Sequence, residues 1–203
     1  MSDFNSNFWD ERYSIEEYVY GVEPNQFFKQ VLDKIPIPGK LLLPGEGEGR
    51  NAVYAAKLGW KVDAFDQSIN AQKKALKLAE KNEMYINYQI TDLTKFYTEK
   101  NKYDAAAIIF VHFNSEERSV FHQRIMDSLK QGGKLILESF SKNQFGKSSG
   151  GPQDLKMLTT LDEIKNDFKE MSTILLEEKN ILLNEGDKHS GEASVIRYVG
   201  EKN

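Results

Sequence analysis

Residues 40–68 read KLLLPGEGEGRNAVYAAKLGWKVDAFDQS. Lys40 to Leu43 is short and apolar, as a strand covered on both faces of a parallel sheet must be. Gly45, Gly47 and Gly49 follow it. A helix then begins at Arg50 or Asn51, with Ala52, Ala55, Ala56 and Leu58 at helical spacing on one side, and Gly59 ends it. Lys61 to Phe65 supplies a second strand, closed by Asp66. Ser68 is an N-cap for the next helix, which runs to about Asn82. The stretch is therefore one strand–helix–strand unit whose first turn is rich in glycine.

The same rhythm continues outward. Ile86 to Ile90 is a third strand leading to Asp92. Ala105 to Val111 is the longest apolar run and belongs at the centre of the sheet. Ser115 opens a helix as a capping box, with Val120, Phe121, Ile125, Met126 and Leu129 in helical period, and Gly132 and Gly133 turn the chain into a fifth strand, Lys134 to Phe140. A polar, glycine-rich stretch (141–152) and a short helix (161–168) follow. Ser172 to Leu183 and Ala193 to Val199 are then joined by NEGDKHSGE, too short for a crossover helix, so they form an antiparallel hairpin. The expected fold is α/β: a Rossmann-like, seven-stranded, mostly parallel sheet with helices on both faces and a C-terminal antiparallel hairpin, built as a single domain over 1–203.

Composition removes several classes. Of 203 residues, 31 are acidic and 27 basic, a net charge of −4 that disfavours nucleic acid as a partner. No run approaches the length of a membrane span, and MSDFNSNFWDER lacks the basic and apolar regions of a secretory signal, so the expected location is cytoplasmic. Cysteine is absent, and His112, His122 and His189 have no metal-ligand spacing, so no metal is expected.

A glycine turn between strand and helix lets the main chain approach a ligand, and an acid ending the next strand can accept both hydroxyls of a ribose. Gly47 and Asp66, 19 positions apart, fit that arrangement; the other reading of Asp66 is a charge at the helix N-terminus beside Ser68. A dinucleotide fold needs a third small residue where Arg50 stands, and Glu46 and Glu48 would repel a pyrophosphate. A cationic nucleoside suits the loop better.

PGEGEGRNAVYAAKLGWKVDAFDQS, TDL at 91–93, DAAAIIFVHF and QGGKLILESF resemble the successive motifs of class I S-adenosylmethionine-dependent methyltransferases. GRNAVYAA and the opening FWDERY resemble in particular the bacterial tellurite-resistance or thiopurine methyltransferase-like family, over residues 8 to 200. The resemblance implies S-adenosylmethionine as cofactor and a small-molecule acceptor. It places Gly45, Gly47 and Gly49 under the methionine part, Asp66 on the ribose, Gln67 beside the adenine, Asp92 on the adenine amino group with Leu93 next to it, and Phe110, Val111 and His112 around the transferable methyl. Asn51 and Ser68 complete the implied cofactor set. The family at large has an acid two residues before the first glycine; here that position is Leu43, and Glu46 is the candidate to replace it.

Phe8, Trp9, Tyr13, Tyr18 and Tyr20 precede any strand and are too aromatic for a solvated tail. Either they pack as a helix on the sheet, or residues 1–30 form a lid with Arg12 on the cofactor carboxylate and Trp9 near the sulfonium; Tyr20, Gly21, Pro24 and Asn25 resemble a YGxxPN turn of related methyltransferases. His112 reads as a strand-end structural residue or a site residue, the 146–152 loop as mobile or pocket-lining, and His189 as exposed or near the acceptor. His122 has no assigned role. The expected reaction is methyl transfer to a small soft nucleophile, a thiol or a tellurium or selenium oxyanion, with His112 or His189 taking a proton where the acceptor is a hydroxyl or amine. A non-catalytic binding module and a nucleotide-dependent oxidoreductase are the alternatives.

Overall fold

A computed structural model describes residues 6–203, with side chains from Phe8 onward; the part of the lid expectation that falls on residues 1–5 lies outside them. Seven strands form one sheet in the order β3-β2-β1-β4-β5-β7-β6. They are β1 (Lys40–Pro44), β2 (Lys61–Asp66), β3 (Asn87–Ile90), β4 (Tyr103–Ile109), β5 (Leu129–Phe140), β6 (Met171–Asn184) and β7 (Ser190–Lys202). The first five are mutually parallel; β7 runs antiparallel to both β5 and β6. The strand order reverses between β1 and β4, so a crevice opens there beyond the carboxyl ends.

Side chains alternate across the pleat. Leu41, Leu43, Val62, Ala64, Ala105 and Ala107 face one layer, packed on Phe27, Phe28 and Leu32 of α2 (Gln26–Leu32), Ala52 and Ala55 of α3 (Arg50–Lys57), and Ala75 and Leu78 of α4 (Ile69–Lys81). Leu42, Ala106, Ile108, Leu135 and Leu137 face the other, against Phe121 and Ile125 of α5 (Ser115–Ser128) and Ile164 of α6 (Leu161–Asp167). A further short helix, α1 (Ser6–Arg12), lies by the start of α4.

Several boundaries differ from the sequence expectation. The central strand stops at Ile109 rather than Val111, because Phe110 takes φ +54 and turns the chain out of the sheet. The cap of α5 is Asn114, not Ser115: its side chain accepts from Glu117 N and donates to the Glu117 carboxylate. β5 begins at Leu129, with Gly132 and Gly133 absorbed in an irregularity opposite β4. Asn25 starts α2, for which no element was expected, by accepting from Phe28 N. His122, given no role by the sequence, is buried at the α5–α6 contact, where Asp167 Oδ2 lies 2.8 Å from its Nδ1 and accepts from Arg118 Nε at 2.8 Å.

Candidate active site

The glycine turn divides its labour. Gly47 has φ +62, and a Cβ there would lie 2.8 Å from the Tyr13 hydroxyl. Gly49 has φ +89, and its Cβ would meet Cβ and Cα of Ala75 at 2.7 and 2.8 Å. Gly45 and Gly47 line a cavity; Gly49 does not, and instead seats the start of α3 on α4. Of the three glycines expected under the cofactor, Gly45 and Gly47 are the two that face the cavity.

Asp66 is 7% exposed and lines the same cavity. Its Oδ2 accepts from Gly47 N and its Oδ1 from Ser68 N, both at 3.0 Å. Burial raises the carboxyl pKa against the opposing pull of these N–H groups. Each carboxylate oxygen keeps a further lone pair. Ser68 is fully buried and outside the cavity wall: its hydroxyl accepts from Ala71 N as the α4 cap and donates to Asp10 of α1 at 2.7 Å. Asp10 also accepts from Asn70 N, so an acid of α1 sits on the positive end of α4.

The two loop glutamates have separate fates. Glu48 pairs with Lys74 at 2.5 Å. Glu46 accepts from Ala52 N at 2.7 Å and has Asn51 Nδ2 3.5 Å away, and burial pushes its carboxyl up to about 7. With the folded value raised above the unfolded one, the native state binds the extra proton between them. Stability is therefore expected to decline as pH rises from about 4.5 to about 7. Glu46→Gln should flatten that slope in chemical denaturation across the window; an unchanged slope would contradict it. Leu43 is wholly buried in the core, so Glu46 is the acid the cavity presents near the place the family pattern gives one.

The cavity measures about 790 Å³, enough for a nucleoside and a small molecule together. Besides Gly45, Glu46, Gly47, Asn51 and Asp66, its wall includes Gln67, Asp92 and Leu93 after β2 and β3. The Asp92 carboxylate is already engaged: hydrogen bonds from Thr94 lower its pKa, and Lys95 lies 3.2 Å away. Trp9 and Arg12 close one side, the Arg12 guanidinium standing 4.7 Å from the Phe8 ring centroid, 5.4 Å from that of Trp9, and donating to the Tyr20 hydroxyl at 3.0 Å. Tyr13 stacks beneath Trp9 and touches the glycine turn.

At the other end stand Phe110, Val111, His112, Phe140 and His189, with Gly151, Pro152 and Gln153. The loop that supplies the last three is pinned rather than free: Gln144 donates to Ser149 Oγ and Gly150 O, and Ser149 donates to Glu192 O. His189 is 7% exposed, correcting the expectation of exposure; its ring lies 4.5 Å from Tyr20, 4.7 Å from Phe110 and 5.4 Å from Phe140. His112 stacks on Phe140, and burial pulls its pKa down to about 4, so its imidazole is neutral. Both its ring nitrogens are buried, and the Met157 main chain is the hydrogen-bonding group that opposes the shift.

Phe110 is a bulky residue in the left-handed region, a conformation that costs an L-residue about 1–2 kcal/mol and persists where the surroundings impose it. The stack on Phe140 and the edge contact to His189 hold the ring in place. Phe110→Gly is accordingly expected to be more stable than Phe110→Ala by about 1 kcal/mol in urea unfolding, the reverse of the order in ordinary extended backbone.

The fold is that of the class I methyltransferases. Residues 42–133 match the profile of a family described as methyltransferase domain. Among solved structures, the chain is similar to one described under the conversion of a disulfide bond into a thioacetal group during echinomycin biosynthesis (TM-score 0.76, 14% identity, covering 98% of this chain and 92% of that one). It is also similar to TehB from Haemophilus influenzae (0.74, 17%, 98% and 67%) and to an S-adenosylmethionine-dependent methyltransferase from Methanosarcina mazei (0.68, 14%, 89% and 98%). No curated protein matches in sequence. The matched segment is thus similar to a methyltransferase domain, the activity class this chain shares. Among the described residues no helix is long and apolar enough to cross a membrane, and no three acidic or histidine side chains are grouped to hold a metal.

Proposed function

We propose that this protein transfers the methyl group of S-adenosylmethionine to a small molecule, acting in the cytoplasm as a single domain. A soft nucleophile, a thiol or a tellurium or selenium oxyanion, is the acceptor that the motif resemblance suggests. The observation that carries the reading is the buried Asp66 carboxylate, tethered to Gly47 N and lining a cavity whose floor is bare main chain. The group fits: Gly45 and Gly47 line the cavity together with the buried Asp66 carboxylate and the aromatic rings of Trp9, Tyr13 and Phe110.

In this reading Asp66 accepts the ribose hydroxyls, Gly45 and Gly47 underlie the methionine part, and Gln67 and Leu93 flank the adenine with Asp92. Arg12 takes the carboxylate, Glu46 with Asn51 the ammonium, and Trp9, Phe110 and Val111 border the sulfonium. The bound cofactor supplies an electrophilic methyl on positively charged sulfur. The chain's own part is to hold the acceptor in line at near-attack distance and to exclude water, which Phe8, Trp9 and Tyr20 do from above. Where the acceptor is a hydroxyl or amine, His112 or His189 takes its proton in this reading. The net charge of −4 supports a small molecule over nucleic acid.

The test is production of S-adenosylhomocysteine from S-adenosylmethionine across a panel of thiols, selenite, tellurite and phenols. Turnover with at least one acceptor is expected. Cofactor binding without turnover on any of them would contradict catalysis.

A further inference from the structure

The turn joining β6 to β7 carries His189 into the cavity wall, with Glu185 next to it outside that wall. It is closed by hydrogen bonds from Glu185 N to His189 O and from His189 N to Gly186 O. It also docks on the amino-terminal segment: a Cβ at Gly186 would fall 2.3 Å from Val19 O, so no side chain fits between them. The place of His189 is thus fixed from two directions. Tyr20, Phe110 and Phe140 surround its ring.

Glu185 is held more firmly than a turn carboxylate needs to be. Arg50 Nη2 donates to its Oε2 at 2.7 Å and Asn25 Nδ2 to its Oε1 at 3.0 Å, while His189 Nδ1 lies 3.5 Å from Oε2. That last separation is longer than a formed hydrogen bond, as catalytic contacts often are before a site is filled. An anionic carboxylate facing Nδ1 favours the tautomer protonated there and leaves the Nε2 lone pair available. On the Nε2 edge stands Gly150, whose missing side chain leaves room: a Cβ there would lie 3.1 Å from Nε2 and 2.6 Å from Cδ2.

We propose that Glu185 and His189 act as a pair, Glu185 as positioning residue and His189 as general base, and that the acceptor is a phenolic hydroxyl on a planar ring in the cavity beside His189. This rests on the methyl-transfer reading and puts a phenol in place of the soft nucleophile that the motif resemblance suggests. The phenol's O–H proton passes to His189 Nε2, the oxygen forms the new O–CH₃ bond as the methyl–sulfur bond breaks, and the electron pair of that bond stays on sulfur. The imidazolium then loses its proton to water. A base is useful only to an acceptor still protonated at working pH, which singles out a phenol over a thiolate or an oxyanion. Arg50, the cation beside this pair, is already neutralised by Glu185 and offers no anion site.

Charge states agree with this geometry. Burial alone would raise the Glu185 carboxyl, yet His189 and Arg50 bring it down to about 2. Burial lowers the His189 pKa, with Glu185 opposing and Arg50 and Arg12 assisting. Tyr20 and, through space, neutral His112 also face it. At neutral pH the pair is carboxylate and neutral imidazole.

The test compares catechol, protonated near pH 7, with thiophenol, largely ionised there, as acceptors for the full chain with S-adenosylmethionine. His189→Gln is expected to slow catechol methylation about 10²–10³-fold and thiophenol methylation less than tenfold. Glu185→Gln removes the charge that raises the His189 pKa, so the acid limb of the catechol kcat/KM profile should move to lower pH, a shift that loosened packing alone would not produce. Histidine ¹⁵N spectra of the S-adenosylhomocysteine complex should show His189 protonated at Nδ1. Equal losses on both acceptors, an unmoved acid limb, or a wild-type protein that binds S-adenosylhomocysteine but does not methylate catechol would overturn the pair. Failure to bind S-adenosylhomocysteine at all would instead remove the methyl-transfer reading beneath it.

Discussion

Asp66→Ala is expected to weaken S-adenosylhomocysteine binding by about a hundredfold or more while the protein remains folded. Two hydrogen bonds from a ribose to a carboxylate, each worth roughly 1.5–3 kcal/mol, vanish together, and 1.4 kcal/mol is a factor of ten. The structural loss is smaller. Gly47 N and Ser68 N lose their acceptor, but Gly47 borders the cavity and water can replace the carboxylate there. The variant is also relieved of a buried charge whose pKa desolvation has raised. A stability loss of about 1–2 kcal/mol, a few degrees in Tm for a chain of this size, is the expected accompaniment. Titration calorimetry and a thermal melt on the same preparation separate the two; unchanged affinity would contradict the assignment of Asp66.

Gly49→Ala should do the opposite, damaging stability and sparing the cofactor. The left-handed conformation costs alanine about 1–2 kcal/mol. The added methyl presses on Cα as well as Cβ of Ala75, so α4 itself must move, at a further cost of about 1–3 kcal/mol. Tm should fall on the order of 10 °C. At a temperature where the variant is still folded, affinity for S-adenosylhomocysteine should stay within a few-fold of wild type, because residue 49 is not in the cavity wall. A large loss of affinity with little change in Tm would reverse the roles given to Gly47 and Gly49.

The contrast between those two glycines shows what a sequence can disclose. Both lie in GEGEG, both have positive φ, and spacing cannot tell a glycine that faces a ligand from one that faces a neighbouring helix. Alternation and helical period lead to the strand order's first five elements and to the hairpin because they report burial, which is local in sequence. Asp66 is legible for the same reason: strand end and glycine turn are neighbours along the chain. Ser68 was legible as a cap but not as the partner of Asp10, a contact across 58 positions.

The acceptor end is assembled from distant pieces, and there the sequence falls silent. Glu185 gives no signal in NEGDKHSGE, a string that reads simply as a turn; its meaning comes from Arg50 and Asn25, 135 and 160 positions away. The run Ala105 to Val111 looks uninterrupted because Phe110 has the right chemistry for a strand, and only packing on Phe140 reveals that its backbone departs from one. His189 reads as exposed or near the acceptor, since turn residues are usually solvated, and only the fold shows it buried. The amino-terminal aromatics, by contrast, announced burial through composition alone, and the structure stacks Trp9 on Tyr13 at the cavity's edge.

Calorimetric titration of the wild-type protein with S-adenosylhomocysteine and, separately, with NADH tests the central claim most directly, since the claim is that the Asp66 crevice holds the sulfur nucleoside. One equivalent of S-adenosylhomocysteine should bind and NADH should give no heat of binding. Saturable binding of NADH with none of S-adenosylhomocysteine would contradict the account.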